Sequence, residues 1–211
     1  MKKILSVFIA ISLFINVKAQ ENKDIKLPAA IKSGGKPLME ALNKRASERV
    51  FSAKELSMQE LSDLLWAADG INRPESGKRT APTAMNWQDM EIYVILKTGI
   101  YKYNPKDHLL EFIKAGNFMK YAGKQDFVEN AALNLVMVSD TSKMKNAANE
   151  DRLLYAGIHA GAIVQNIYLY CASTELNTVT RRYVDIPELA KIIGLPQNKM
   201  IVITQTVGHK N

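Results

Sequence analysis

The sequence predicts an α+β domain, and three observations carry that prediction. Residues 151–173 form a proline-free stretch whose apolar positions recur at helical spacing on more than one face, as in a long, mostly buried helix. Residues 91–96, 100–103 and 108–113 are apolar runs separated by turn residues, which reads as a meander of antiparallel strands. Residues 131–139 (AALNLVMVS) are almost continuously apolar over a strand's length, hence a strand covered on both faces. Strands interleaved with helices in this order make a mostly antiparallel sheet flanked by helices.

The chain begins with Lys2 and Lys3 before an apolar run over 4–17, and Val17-Lys18-Ala19 fits a small-residue cleavage pattern. Residues 1–19 are therefore expected to be a secretory signal peptide, and the protein exported to a periplasmic or extracellular compartment without a stable membrane span. Losing Lys2, Lys3 and Lys18 takes three charges from the formal balance of +7, so part of the basic character belongs to the leader. No compact run of basic and aromatic residues suggests nucleic-acid binding. Cys171 is the single cysteine, which rules out a disulfide within the chain. His108, His159 and His209 lie far apart, so no metal site is expected.

In chain order, residues 20–36 are polar with Pro28 and Gly34-Gly35, and read as a tether into a single domain over 37–211. Residues 37–44 open on a proline and make a short helix. Ser57 and Glu60 form a capping box ahead of a helix that buries Leu61, Leu64, Leu65 and Ala68 and stops at Gly70. Residues 72–82 are a loop, and 83–88 a second loop or helix start. After the meander, residues 116–128 are expected to be a helix carrying Phe118, Met119 and Tyr121 inward. The long helix follows the strand over 131–139, and its ridge of Gly157, Ala160, Gly161 and Val164 permits close approach of another backbone, either a neighbour in the core or a second copy. Residues 175–184 read as a polar, partly extended connection, 187–193 as a short helix ended by Gly194, and 200–207 as the last strand.

Three motifs then bring a family into view. Arg45-Ala-Ser47-Glu-Arg49-Val-Phe51 is similar to an opening RRSxRxF segment. Residues 81–88 (APTAMNWQ) resemble a PSxxNxQ segment, and 99–110 a GLYxYxPxxHxL hairpin. In this order they resemble the FMN-dependent nitroreductase superfamily, closest to its azoline (thiazoline) dehydrogenase-like branch. The resemblance implies a homodimer with the long helix at the interface and FMN between the subunits. It implies that Arg45 holds the phosphate, Ser47 donates to the phosphate or ribityl region, and Arg49 stands beside the flavin N1 and O2. Asn86 would bond the pyrimidine edge, and Pro82, Thr83 and Ala84 would line the cofactor from the partner subunit. Thr180, Arg181 and Arg182 occupy the place where backbone N–H groups approach the flavin N5 edge.

The activity so implied is a ping-pong oxidoreductase, taking electrons from NAD(P)H or another reductant and passing them to a nitro, quinone or related small-molecule acceptor. No catalytic dyad is needed, in keeping with the absence of a nucleophile and base arrangement. Ala46, Thr180 and Arg181-Arg182-Tyr183 depart from the family pattern, and a C-terminal basic phosphate ligand is missing unless Lys210 substitutes. These departures leave two alternatives: a flavin-binding, non-catalytic protein on the same fold, or an azoline dehydrogenase acting on a modified peptide.

Overall fold

The computed structural model describes residues 23–211; the expected signal peptide lies outside them. Seven strands form one sheet in the order β1-β6-β5-β4-β7-β9-β8, with every pair antiparallel. The meander is β4 (Met90–Leu96), β5 (Gly99–Asn104) and β6 (Leu109–Ala115). The continuous apolar run becomes β7 (Leu133–Asp140), buried along its whole length between β4 and β9 (Lys199–His209). Burial on both faces is why this strand shows no polar alternation.

Helices cover the two faces. Helix α2 (Met58–Asp69) and α3 (Asn149–Thr174) pack on one, where Leu64, Leu65, Ile163 and Ile167 meet Val94, Leu135 and Met137. Helix α4 (Ile186–Ile193) packs on the other, with Leu189 and Ile193 against Ile95, Val136 and Ile201. The capping box forms as expected: the Ser57 hydroxyl accepts from Glu60 N–H, and the Glu60 carboxylate accepts from Ser57 N–H. Among the described residues no helix is long and apolar enough to cross a membrane.

Four stretches differ from the sequence reading. Residues 116–128 form no long helix but two short 3-10 turns, Met119–Ala122 and Asp126–Val128, separated by extended Gly123. A Cβ at Gly123 would lie 2.8 Å from Arg181 Nε, so the backbone is spent on close approach rather than on helix. The polar, partly extended connection after α3 is a paired strand, β8 (Leu176–Arg181), whose Thr178 and Thr180 hydroxyls donate to carbonyls of β9. The loop over 72–82 contains a small hairpin, β2 (Ile71–Arg73) with β3 (Lys78–Arg79). The stretch read as a tether is built into the domain. Its strand β1 (Ile25–Lys26) pairs with β6, Leu27 is buried, and the Pro28 carbonyl accepts from Ser62 Oγ. Helix α1 (Leu38–Lys44) follows it, with only Ala41 buried.

Candidate functional site

Helix α3 carries the two halves of the site on different flanks of its buried stripe. Towards its C-terminal end, Tyr168 gathers the opening motif. The chain after α1 runs extended, so Arg45, Ser47 and Arg49 alternate with Ala46 and Glu48 on opposite sides. Arg45 lies over the Tyr168 ring at 5.2 Å, and Ser47 Oγ is 2.8 Å from Tyr168 Oη. The segment is fastened to β8 by the bond from Glu48 N–H to the Thr178 carbonyl, 3.0 Å. Arg49 is exposed, its guanidinium reaching only the Ser47 carbonyl at 3.5 Å. Among the described residues neither guanidinium has a carboxylate partner. A cavity of about 220 Å³ adjoins the segment, its lining including Lys44, Ala46, Glu48, Tyr168, Glu175 and Lys210, which brings Lys210 to this end of the domain.

Towards the N-terminal end, His159 holds the second motif. Residues 83–88 turn through a 3-10 segment in which Met85, Asn86 and Gln88 take left-handed φ of 51°, 54° and 46°. Non-glycine residues in that region cost roughly 1 kcal/mol each, so the surroundings must over-determine the turn. They do so with buried polar groups. His159 Nε2 accepts from Ala84 N–H at 2.9 Å, His159 Nδ1 is 2.6 Å from Asp89 Oδ1, and Ser139 Oγ donates to Asp89 Oδ2 at 2.8 Å. All three side chains are buried, drawn from α3, the start of β4 and β7. Because Nε2 must accept, the proton sits on Nδ1 and is given to the carboxylate. Trp87 adds an edge-on contact to Tyr155, centroids 5.2 Å apart. The turn therefore presents Pro82, Met85 and Asn86 to the outside from a fixed base.

The predicted third contributor is partly withdrawn from the surface. Arg181 points inward, donating from Nη1 to Thr204 Oγ1 and from Nη2 to Asn134 Oδ1, both at 2.5 Å, and burial lowers its guanidinium to about 10. Its side chain is thus not available to a cofactor, and the Thr180 N–H expected at a flavin edge is given to Tyr168 Oη at 3.0 Å. Arg182 is exposed. Sequence reasoning missed His159 and Tyr168. The available signal was a histidine and a tyrosine on a helix stripe otherwise made of small and aliphatic residues.

His159 and Tyr168 are nine positions apart, which on an α-helix is roughly 13 Å along the axis and about half a turn around it. The Arg45 cluster and the Asn86 turn therefore stand on different sides of α3. The face between them is bare: Leu153, Leu154 and Ile158 are about 60% exposed, and a Cβ at Gly157 or Gly161 would meet nothing within 4 Å.

Known proteins share the sequence and fold of this chain. A protein of Methanocaldococcus jannaschii described as a nitroreductase is 28% identical over 183 residues, covering 82% of this chain and 91% of the relative. A solved structure from Ralstonia eutropha, also described as a nitroreductase, is 37% identical with a TM-score of 0.85, covering 90% of each chain. The NADPH:FMN oxidoreductase of Vibrio harveyi, solved with NAD+, shares the fold at 20% identity, with a TM-score of 0.62 over 82% of this chain and 69% of that one. The model of the nitroreductase family matches residues 42–209, from the end of α1 through β9, and the chain belongs to that family.

Proposed function

We propose that this protein is an exported FMN-dependent oxidoreductase that works as a homodimer. The observation that carries the reading is the pair of half-sites on α3: an anion-binding cluster on one flank and a rigid amide-bearing turn on the other, separated by a bare apolar ridge. A second copy laid on that ridge supplies each cluster with the turn it lacks. The donor set fits FMN. Guanidiniums without carboxylate partners and a serine hydroxyl suit a phosphate, and an exposed Asn side chain can both donate to and accept from a pyrimidine ring.

When bound, FMN supplies reversible acceptance and release of hydride. The chain's residues do the rest. Arg45 and Ser47 hold the phosphate, and Arg49 places a cation where negative charge collects on the ring. Asn86 fixes the ring's polar edge, and the apolar ridge around Ile158 keeps water from the seam. No side chain need move a proton of its own. The acceptor is a nitro compound, quinone or similar small molecule, with NAD(P)H or another reductant as donor. The GLYxYxPxxHxL hairpin does not favour the peptide-modifying alternative, because its residues serve packing: Tyr101 and Leu110 are buried, and Tyr103 Oη bonds His108 Nδ1 at 2.9 Å.

The test is spectroscopic. Purified protein mixed with FMN should retain a flavin band after desalting, bleach with a reductant and recover when a quinone or nitroaromatic is added. Protein that stays colourless would end the reading. Export rests on Lys2, Lys3 and the apolar run over 4–17, and the intact mass of protein recovered from its native host should lack residues 1–19.

A further inference from the structure

Tyr168 touches both Arg45 and Ser47 of the anion-binding cluster and ties them to β8. Its ring lies under the Arg45 guanidinium, its hydroxyl is 2.8 Å from Ser47 Oγ, and the same hydroxyl accepts from Thr180 N–H at 3.0 Å. The residue is itself buried, while Ser47 is exposed. A phenol oxygen carries one proton and accepts best in the plane of its ring. With the acceptor position filled by Thr180 N–H, which cannot reverse its polarity, the phenol proton is directed to the nearest remaining acceptor, Ser47 Oγ. The serine then accepts from Tyr168, and its own proton is left for an outside partner.

We propose that Tyr168 is a positioning residue that presets Ser47 as a hydrogen-bond donor toward the phosphate of FMN. The chain of donation runs from Thr180 N–H to Tyr168, from Tyr168 to Ser47, and from Ser47 to the anion. Without the phenol hydroxyl, Ser47 is free to turn its proton inward or to solvent, and the site loses a donor already aimed at the ligand. The proposal rests on the FMN reading, because it assigns the outside partner.

The test compares FMN with riboflavin, which has the same ring and ribityl chain but no phosphate. Tyr168→Phe keeps the ring beneath Arg45 and removes only the hydroxyl, leaving one unpaired N–H at Thr180, a cost too small to unfold the domain. For wild-type protein, FMN should bind more tightly than riboflavin. In Tyr168→Phe that preference should shrink by about tenfold, with riboflavin affinity unchanged. Ser47→Ala should produce the same loss, and the double variant no more than either. Equal weakening toward both flavins would mean a merely structural role and would overturn the proposal, as would no change at all. A readout without flavin separates the two readings: exchange of the Thr180 amide should quicken in the Tyr168→Phe apoprotein. If it does, yet wild type binds neither flavin, the bridge exists and the FMN reading is what fails, taking the assigned partner with it.

Discussion

Asp89 and His159 are polar groups with no access to water, and such groups persist only when every bond they can make is made. Replacing His159 with leucine removes the acceptor of Ala84 N–H and leaves the Asp89 carboxylate buried beside Ser139 alone. The expected loss of stability is about 3 kcal/mol by chemical denaturation, together with faster exchange of the Ala84 amide. A loss well under 1 kcal/mol would show that the turn is held by something else. His108 is a second ring, half-buried, with a different consequence. Its Nδ1 faces Tyr103 Oη and its Nε2 faces Ser62 Oγ, which in turn holds the Pro28 carbonyl of the N-terminal strap. Burial, helped by Lys32, holds the ring below its ordinary 6.5, against the opposing pull of the Pro28 carbonyl and Asp63. The unfolded chain thus binds the proton more readily, and the stability due to neutral His108 is complete above 6.5 and lost as pH falls through the lower folded value. Melting temperature should drop across that window, and His108→Gln should flatten the drop; an unchanged profile would deny the ring this role. Neither histidine could be given its role from sequence, because Ala84 and His159 are 75 positions apart and Ser62 and His108 are 46. The motif residues Arg45, Ser47 and Asn86 were legible because their types and order are local.

At the scale of elements, α3 has a buried stripe that holds the protomer together and a bare ridge that does not. Gly161 sits on the bare side with open space where a side chain would grow. Gly161→Leu should therefore leave the protomer folded and even raise helix stability by about 0.5–1 kcal/mol, since glycine is a poor helix former. The same substitution should abolish assembly, read as a shift from dimer to monomer by light scattering. A dimer that survives it would show that the ridge is not the interface. The strands of the meander and β7 were legible from their runs of apolar and β-branched residues. Strand β8 was not, because Asn177, Thr178 and Arg181 are polar and buried at once, bonded to Asn134, Thr204, Gln205, Thr206 and the Val50 carbonyl. Polarity reads as a loop unless the partner groups are known. The expected helix over 116–128 failed for a related reason: the apolar spacing of Phe118, Met119 and Tyr121 is real, but Gly116 at φ 121° and extended Gly123 break it into single turns.

For the whole molecule, the half-turn between His159 and Tyr168 makes a claim about which subunit serves which site. If the Arg45 cluster of one protomer works with the Asn86 turn of the other, each cofactor is held by both chains, and lesions in the two motifs need not fall on the same site. Arg45→Ala and Asn86→Ala homodimers should each bind FMN weakly, by about 1–3 kcal/mol per lost polar contact. A dimer of one Arg45→Ala chain with one Asn86→Ala chain then contains one doubly damaged site and one intact site. Differentially tagged subunits, co-expressed and purified through both tags, should hold half the flavin of wild type at full affinity. If cluster and turn served the same protomer's site, each site in the mixed dimer would carry one lesion and no tight binding would return. Titration of FMN into the mixed dimer separates these outcomes, because they differ in stoichiometry as well as in affinity.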